Sequence, residues 1–540
     1  MSASTHDQRN DLAAQTGVLI RVRTLSRGSE TPMERQSVRY GHLDLQQFAV
    51  ASGDVNPLHV APGYAHRTAY GEPVVYGVLG VLSCLAVVPV QRGDRLSRLT
   101  VDFPGPLFAE QDYSVEVEVA KPRVAKVRIR DGRRVLLRLS AHYLAGEATE
   151  SSTESWSSCD PKPRAALLSD ADLFPGRTLQ GSYGPSASAI AILWERFRLE
   201  ARGLSSLQVV ALLWSSYLVG MELPGERALF SRLQLTFPPL VERNQGCLAY
   251  RATILANEDR FGLVSIDAQL GREGTPPLAS AAISAFARRA ASSPSVAPVS
   301  HVDLKGHVAL VVGASRGLGA ALARTLAACG CTVLGSFRHS SGEAQALADE
   351  LSTGPGSFIP VQGDASLADV NKALRAQIMR DHGRLDFLIC SACPPLRPLW
   401  IEPASLDRLL SYVSASLALA ATPLCYLADL IEAQQGGVAL ISSSYVDDVP
   451  PEWPHYVAAK FALEGLARSV AAEFPRIRVV IARPPPLDTD FGNTPLAMTL
   501  KLSPEGAATA ILNSLVHPQQ SEPRPGFVDF PPPKETHATR

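Results

Sequence analysis

The sequence predicts an α+β region followed by an α/β region within one chain of 540 residues. Two observations predict this division. The first part carries two long apolar segments, each followed by runs in which apolar and polar residues alternate, as in strands with one buried face. From Lys305 onward, short apolar strands alternate with helical patterns, as in a parallel sheet with helices on both faces.

Composition excludes several classes of protein. At about 150 residues per domain the length favours three or four folding units. The 51 Lys and Arg residues balance the 52 Asp and Glu residues, which disfavours a nucleic-acid binder or a polybasic membrane-surface protein. The longest apolar runs, Tyr76–Val90 and Val209–Met221, are shorter than the roughly 20 residues that span a bilayer. We expect a globular protein with buried helices, without a nucleic-acid or membrane partner.

The cysteines and the first residues indicate a reduced, cytoplasmic protein. The eight cysteines are sparse, and the chain begins without the apolar core of a secretory signal. Cys390 and Cys393 have the spacing of half a metal site, but no second Cys or His pair completes a ligand set. We therefore expect no metal.

Two polar, small-residue stretches are typical of linkers, and they set the domain boundaries. They are Gly146–Cys159 and Ala290–Ser300. The predicted domains are 1–150, 160–290 and 303–520.

The first two domains repeat one another. Ser97–Leu107 and Ser231–Leu240 share the words Ser-Arg-Leu and Phe-Pro at one offset, and a long apolar segment precedes each. Tyr113–Val119 is the clearest alternating strand. A helix wrapped by an antiparallel sheet, occurring twice in tandem, is a double hot-dog fold. The alternative is that two α+β modules share these words by chance.

A segment of the first domain holds a carboxylate and an imidazole close together. Asp54 and His59 flank the turn-forming residues Asn56 and Pro57, and Gly53 precedes them, so a loop is expected to place both side chains on one wall of a cleft. Converging on one water molecule, they form an acid/base pair: one deprotonates the water while the other handles the proton at the adjacent carbon. The alternative is that the Asp and Asn only cap a turn.

The region from Glu34 to Tyr143 resembles the MaoC-like family, which includes (R)-specific enoyl-CoA hydratases. The resemblance implies that Asp54 and His59 are the catalytic pair. It also implies that Gly77, which begins the apolar helix, supplies an N–H to the enolate oxygen of a thioester. The family usually has His before this glycine, whereas this chain has Tyr76. The second domain has no Asp or His across Ser182 to Leu218, so we expect a non-catalytic partner half.

The third domain contains a glycine loop that predicts a dinucleotide site. The strand Val308–Val312 leads into a Gly-x-x-x-Gly-x-Gly loop and the start of a helix, where backbone N–H groups and the helix N-terminus favour a pyrophosphate. Asp364 is expected to meet the adenine end. The predicted cofactor residues of the loop are Gly313, Ser315, Arg316, Gly317, Leu318 and Gly319.

A Ser/Tyr/Lys set predicts carbonyl reduction in the same domain. Tyr456 and Lys460 are four residues apart and share a helix face, so the ammonium group is expected to lower the pKa of the phenol. The phenol then protonates a carbonyl oxygen while hydride arrives from a nicotinamide. Ser443, at the end of a strand, would hold that oxygen.

The region from Lys305 to Phe491 resembles the short-chain dehydrogenase/reductase family, most closely its 3-oxoacyl-thioester reductases. The resemblance locates Thr489 near the nicotinamide amide and implies a homodimer through the reductase domain. No acid ends the second strand, and Arg338 follows it. With Arg316 it offers two cations to a 2′-phosphate, which predicts NADPH rather than NADH.

The third domain also departs from that family. The usual Asn-Asn-Ala-Gly reads Cys390-Ser391-Ala-Cys393, the helix from Leu410 to Ser416 lacks the relay Asn, and Pro-Gly is replaced by Arg483-Pro-Pro-Pro. These changes leave open the alternative that the third domain binds the cofactor but catalyses reduction only very slowly.

Together the modules predict a bifunctional 3-oxoacyl-thioester reductase and 3-hydroxyacyl-thioester dehydratase in fatty-acid-like or polyketide-like biosynthesis, acting on acyl-CoA or acyl-carrier-protein thioesters. One alternative is the oxidative direction, in which an (R)-specific enoyl-CoA hydratase feeds a 3-hydroxyacyl-CoA dehydrogenase. The other is a scaffold or accessory subunit with a decayed reductase.

Overall fold

The computed structural model describes residues 21–22, 34–145, 156–160, 162–238, 248–258, 262–288, 302–492, 501–516 and 524–531. The chain divides into two compact units: Met1–His66 with Glu72–Arg289, and Arg67–Gly71 with Ala290–Arg540. The first two predicted domains therefore lie together in one unit. The predicted linker Ala290–Ser300 and most of Gly146–Cys159 lie outside the described residues.

The first unit is built on an antiparallel sheet whose two halves mirror one another. In the described residues the strand order is β1-β2-β4-β5-β6-β3-β8-β11-β10-β9-β7. The central pair, β3 and β8, consists of the two repeated sequence segments, with Leu99 opposite Leu235 and Val101 opposite Leu233. The strands are β1 (Arg21–Val22), β2 (Glu34–Arg39), β3 (Asp94–Asp102), β4 (Asp112–Lys121), β5 (Val124–Asp131), β6 (Arg134–Ala145), β7 (Thr178–Tyr183), β8 (Ala228–Thr236), β9 (Leu248–Glu258), β10 (Leu263–Gly271) and β11 (Ala279–Ala287).

Helices accompany each half of this sheet, and one helix in each half is fully embedded in the hydrophobic core. The embedded helices carry the apolar runs seen in the sequence, and their side chains join one hydrophobic core with the inward residues of the strands. Burying each Leu or Val of such a helix contributes about 1.5–3 kcal/mol. The helices are α1 (His42–Ser52), α2 (Pro57–Val60), α3 (Pro62–Ala65), α4 (Gly77–Val87), α5 (Ala187–Phe197) and α6 (Ser206–Tyr217), with α6 continued by a π-helical turn, Leu218–Glu222.

Helix α6 begins three residues before the predicted apolar run because its N-terminus is capped. Ser205 accepts a hydrogen bond from the backbone N–H of Gln208 at 3.3 Å, and the Gln208 side chain accepts one from the N–H of Ser205 at 3.0 Å. This reciprocal cap satisfies two N–H groups that would otherwise lack helical partners. The cap therefore fixes where the helix starts.

The second unit contains a parallel sheet with helices on both faces. The order of the described strands is β14-β13-β12-β15-β16-β17-β18, so the connection reverses direction between β12 and β15. Ligands bind at such a switch point, beyond the carboxyl ends of the strands. The strands are β12 (Val308–Val312), β13 (Thr332–Phe337), β14 (Ser357–Gln362), β15 (Phe387–Cys390), β16 (Gly437–Ile441), β17 (Arg478–Ala482) and β18 (Gly526–Phe527).

Two apolar clusters cover the faces of the parallel sheet. They are formed by alternate strand residues together with the inner faces of the helices. The helices are α7 (Gly317–Ala328), α8 (Ser341–Leu351), α9 (Ala368–Asp381), α10 (Leu406–Ala433), α11 (Pro454–Glu473) and α12 (Pro504–Val516).

One helical stretch of the described residues, Pro403–Ala433, is long and apolar enough to cross a membrane by length and composition alone. Core helices of water-soluble proteins also meet that criterion. Here Leu424, Leu427 and Ile431 are buried in the cluster that covers one face of the sheet. The apolar side of this helix is therefore used in packing against strands.

Candidate active sites

The loop that carries Asp54 and His59 is shaped by its turn residues. Helix α1 ends at Gly53, whose φ of 69° lies in the left-handed region that favours glycine. Asn56 then caps α2, since its side-chain oxygen accepts the N–H of Leu58 at 3.0 Å and Pro57 occupies the first helical position. The end of α1 thus positions the Asp54 carboxylate, and the capped start of α2 positions the His59 imidazole.

The Asp54 carboxylate is buried, with 1% of the residue exposed. One oxygen accepts the N–H of Asn56 at 3.1 Å, and the other accepts the hydroxyl of Ser216 at 2.7 Å. Burial raises the pKa of the Asp54 carboxyl to about 7, and these two hydrogen bonds oppose the rise. The group is therefore able to hold or release a proton near neutral pH.

The His59 imidazole is set up as a neutral base. Its Nδ1 lies 2.6 Å from the carbonyl oxygen of Val74, so the Nδ1–H donates there and the Nε2 lone pair remains for chemistry. Burial lowers the pKa of His59 to about 4. The pKa values of Asp54 and His59 are displaced in opposite directions, an arrangement that assigns acid and base roles to paired groups.

Tyr76, which stands where the resembling family has His, supports the pair. Its hydroxyl donates a 2.6 Å hydrogen bond to the backbone carbonyl of Asp54, and its ring lies 3.9 Å from the His59 ring. Gly77 is the first residue of α4, and a Cβ added there would lie 2.9 Å from the Phe103 ring. The sequence leaves the role of Tyr76 open. In the structure its side chain contacts both Asp54 and His59, and it thereby stabilises the loop that carries them.

The second half of the first unit also reaches this site. The Asn56 side chain donates to the carbonyl oxygens of Gly220, Gly225 and Glu226, at 2.8, 3.2 and 3.2 Å. The backbone N–H of Val55 lies 3.2 Å from the sulfur of Met221. Sequence reasoning missed these residues and Ser216, and the only available signal was a small or polar residue inside an apolar helix.

The glycine loop at the switch point has the tight backbone that a pyrophosphate requires. Gly313 has a φ of 83°, and α7 starts at Gly317. A Cβ at Gly319 would lie 1.9 Å from the carbonyl oxygen of Gly313, so only glycine fits. Leu318 is buried in the hydrophobic core of the second unit. The Thr489 side chain adjoins Gly317, 3.4 Å from where a Cβ would stand.

The remaining predicted cofactor residues lie around this loop. Arg338 pairs with Asp364 at 3.4 Å, and the backbone N–H and hydroxyl of Ser366 donate to the same carboxylate. The hydrogen bonds from Ser366 lower the pKa of Asp364. Arg316 occupies the N-cap position of α7, and burial lowers its pKa. Ser315 lies between Gly313 and this cap.

Ser443, Tyr456 and Lys460 meet at the carboxyl end of β16. The Tyr and Lys are both buried, on the first turns of α11. The Lys460 ammonium donates to the carbonyl oxygen of Ile441 at 2.8 Å and lies 5.3 Å from the centre of the Tyr456 ring. The hydroxyl of Ser443 accepts the N–H of Tyr445 at 3.2 Å.

One sequence expectation about this set needs correction. The ammonium was expected to lower the pKa of Tyr456, but burial raises that pKa, and it is the hydrogen bond with Ser443 that opposes the rise. Lys460 is itself buried, which lowers its own pKa, and one N–H of its ammonium group donates to the backbone carbonyl oxygen of Ile441. The phenol is therefore held in its protonated form, as a proton donor must be.

The residues that depart from the family pattern line the same centre. Cys390 ends β15, and the next N–H, of Ser391, donates to Val312 at 3.0 Å. Burial raises the pKa of Cys393, and the charges of Lys460 and Arg316 oppose the rise. Ser416 is buried on α10. Within the described residues no group of three or more His, Cys, Asp or Glu could hold a metal ion.

The two sites define two enzyme classes. A glycine loop at the switch point with a Ser/Tyr/Lys set defines a nicotinamide-dependent oxidoreductase, and a buried Asp/His pair before an embedded helix defines a hydratase-type site. Residues 307–498 match the family described as short chain dehydrogenase, and residues 26–137 match the family described as MaoC like domain. The chain belongs to both families, one in each compact unit.

Individual relatives support both assignments. The chain is 31% identical over 117 residues to an (R)-specific enoyl-CoA hydratase of Aeromonas caviae, covering 21% of this chain and 87% of that one. It is 31% identical over 232 residues to a fatty acyl-CoA reductase of Acinetobacter baylyi, covering 40% and 74%. It is 29% identical over 178 residues to a hydroxynaphthalene reductase of Aspergillus fumigatus, covering 33% of this chain but only 64% of that reductase.

Proposed function

We propose that this chain is a bifunctional 3-oxoacyl-thioester reductase and 3-hydroxyacyl-thioester dehydratase. The observation that carries the proposal is the presence of two acid/base centres suited to adjacent steps, one at Tyr456 and one at Asp54 with His59. Reduction of a 3-oxo group makes the 3-hydroxy group that dehydration removes. Relatives named for acyl-CoA chemistry support a thioester substrate, and its acyl group is proposed to be carried on CoA or on a carrier protein.

The reductase step follows from the protonated phenol. NADPH held at the glycine loop would supply the hydride for the carbonyl carbon. Ser443 holds the carbonyl oxygen, and Tyr456 gives it a proton. Lys460, buried beside the ring, is the adjacent proton-holding group. The close-packed glycines and the N-terminus of α7 fit a pyrophosphate, and Arg316 and Arg338 favour the 2′-phosphate of NADPH over NADH.

The dehydratase step follows from the Asp/His pair. The neutral Nε2 of His59 takes the proton from the carbon next to the thioester. The protonated carboxyl of Asp54 gives its proton to the departing hydroxyl, which leaves as water. The N–H of Gly77, at the N-terminus of α4, stabilises the oxygen that gains negative charge. Hydration of an enoyl thioester is the same step reversed, with one proton shared by the pair throughout.

The first unit is proposed to be a double hot-dog. Its sheet has two mirrored halves joined at β3 and β8, and each half surrounds one embedded helix. A cytoplasmic location and a homodimer through the reductase domain are proposed with it, from the composition and the family resemblance respectively.

The direct test mixes purified protein with a 3-oxoacyl thioester and NADPH. The proposal expects NADPH oxidation that Tyr456→Phe removes. Failure of every chain length, on CoA and on carrier protein, would support the scaffold alternative instead. Comparing NADPH oxidation with NAD⁺ or NADP⁺ reduction from an enoyl thioester separates the synthetic from the oxidative direction.

A further inference from the structure

We propose that Ser216, in the second half of the first unit, is a positioning residue of the dehydratase site: its hydroxyl holds the carboxylate of Asp54 in the neighbouring half. This inference rests on the proposed dehydratase function. The sequence predicts that the second half is non-catalytic. The inference gives that half a specific role, which is to supply a hydrogen-bond donor to the dehydratase site.

The first support is the hydrogen bond itself. Ser216 stands near the end of α6 with 3% of its surface exposed, and its hydroxyl donates to the Asp54 carboxylate at 2.7 Å. The other oxygen of that carboxylate accepts from the N–H of Asn56. A hydrogen bond to an ionisable group inside a protein is strong and directional. The two hydrogen bonds together therefore fix the orientation of the carboxyl group.

The second support is the close approach of the Asp54 carboxylate to Gly220, which leaves no room for a side chain at that position. Gly220 lies one turn beyond Ser216, and a Cβ added there would stand 2.4 and 2.6 Å from the two carboxylate oxygens of Asp54. Real side chains do not approach so closely, so alanine at this position would displace the carboxylate. The carbonyl oxygen of Gly220 also accepts the side chain of Asn56 at 2.8 Å. Ser216 and Gly220, which lie on the same helical stretch, therefore both adjoin the Asp54 carboxylate.

The third support is the anchoring of that stretch. The π-helical turn ends at Glu222, a residue only 4% exposed. One carboxylate oxygen accepts the hydroxyls of Tyr217 and Tyr250 at 3.1 and 3.0 Å, and the other lies 2.7 Å from the ammonium of Lys162. A buried acid with this many donors is well satisfied. It fixes the turn that presents Gly220 to Asp54.

The corresponding position of the second half has no acid of its own. Helices α1 and α5 both end in a residue with left-handed backbone, Gly53 with a φ of 69° and Arg198 with a φ of 50°. The next residue is Asp54 in the first half but Leu199, fully buried, in the second. The pair of halves therefore has one acid/base centre in this arrangement, and the second half contributes donors to it.

Other ionisable groups face the site and enter its pH dependence. They are the imidazole of His59, the hydroxyl of Tyr76 on Asp54, the hydroxyl of Tyr183 on Ser52, and the guanidinium of Arg288, whose charge acts on His59. Burial raises the pKa of Asp54, and the Ser216 hydrogen bond lowers it. Loss of that hydroxyl should raise the Asp54 pKa further.

The test compares Ser216→Ala with Ser215→Ala. Ser215 is the matched control because it is the adjacent serine of α6, is fully buried, and donates only to the carbonyl of Leu212 in its own helix. The measurement is the rate of dehydration of a 3-hydroxyacyl thioester as a function of pH. Ser216→Ala should lower kcat by about 10- to 100-fold and move the alkaline limb upward by about one pH unit. Ser215→Ala should leave the limb in place.

The test remains decisive if the variant folds poorly. A smaller fraction of active protein lowers the maximal rate of dehydration but does not change the pH at which that rate is half-maximal. An alkaline limb that coincides for both serine variants would overturn the proposal. Asp54→Asn, assayed alongside, separates the two levels of inference. If Asp54→Asn still dehydrates normally, the proposed site is wrong. If it is inactive while Ser216→Ala keeps the wild-type limb, only the role of Ser216 fails.

Discussion

The hydroxyl of Tyr76 donates a 2.6 Å hydrogen bond to the backbone carbonyl of Asp54, while the Tyr76 ring packs on His59. One side chain thereby touches both members of the acid/base pair. Because Tyr76 directly precedes α4, it links the loop that carries Asp54 to the start of that helix, whose first N–H, that of Gly77, is the proposed oxyanion contact.

Tyr76→Phe should lower the rate of dehydration about 10-fold, because the loop loses one buried hydrogen bond while the ring contact with His59 remains. Tyr143→Phe is the control, since that buried hydroxyl has no hydrogen-bond partner among the described residues. Steady-state kinetics on a 3-hydroxyacyl thioester checks the pair. Equal activities of the two variants would show that the hydroxyl of Tyr76 does not organise the loop.

Dehydration should have a bell-shaped pH profile. The active pair carries one proton, so the rate rises as His59 loses its proton at a pKa of about 4 and falls as Asp54 loses its proton at a pKa of about 7. The profile of kcat/KM measures both limbs. A rate that keeps rising through pH 7 and beyond would mean that the active pair carries no proton, and it would contradict Asp54 as the proton donor.

Tyr456→Phe should remove carbonyl reduction, by about 10²- to 10⁴-fold, because the ring stays in place but its proton is lost. Dehydration of a 3-hydroxyacyl thioester by the same variant should be unchanged, since the other centre is untouched. Tyr426→Phe, a tyrosine change on α10, is the control for NADPH oxidation. Substantial reduction by Tyr456→Phe would contradict the role of the phenol.

Arg338→Ala should raise KM for NADPH by about 10-fold and leave KM for NADH nearly unchanged, because only NADPH carries the 2′-phosphate. The arginine is largely exposed and pairs with Asp364, so its loss is not expected to disturb the core. Arg324→Ala is the control, since that arginine pairs with Glu350 instead. Equal increases for both cofactors would point to a general effect on the loop.

Gly319→Ala should destabilise the second unit by about 1–3 kcal/mol, because the new methyl group would meet the carbonyl of Gly313 at 1.9 Å. Gly342→Ala, with nothing within 4 Å of the added carbon, should be neutral or stabilising by up to about 1 kcal/mol. Thermal unfolding and NADPH binding measure the two effects. A Gly319→Ala protein that binds NADPH normally would contradict the close packing of the loop.

The parallel sheet was well predicted because its central strands are buried on both faces and read as continuous apolar runs. The alternation of apolar runs with helical patterns predicts strands from Thr332 to Ser336 and from Gly437 to Ser442, and in the structure these are Thr332–Phe337 and Gly437–Ile441. Strand β14 was not predicted. It lies at the sheet edge, is only partly buried and contains Pro360, so its sequence lacks the apolar pattern.

The candidate sites were predictable where their residues are neighbours in sequence. Asp54 and His59 share one loop, and Tyr456 and Lys460 share one helix face, so spacing alone places each pair together. Ser216 is brought to Asp54 only by the packing of the two halves, and no local pattern encodes that contact. Likewise, burial determines the pKa of Tyr456, and burial depends on the whole fold.

The most direct test of the bifunctional assignment is product analysis from one reaction. Wild-type protein, a 3-oxoacyl thioester and NADPH should yield both the 3-hydroxyacyl and the 2-enoyl thioester by mass spectrometry. Asp54→Asn should stop at the 3-hydroxyacyl thioester while oxidising NADPH at the wild-type rate. Enoyl product from Asp54→Asn, or no NADPH-dependent product from the wild-type protein, would contradict the account.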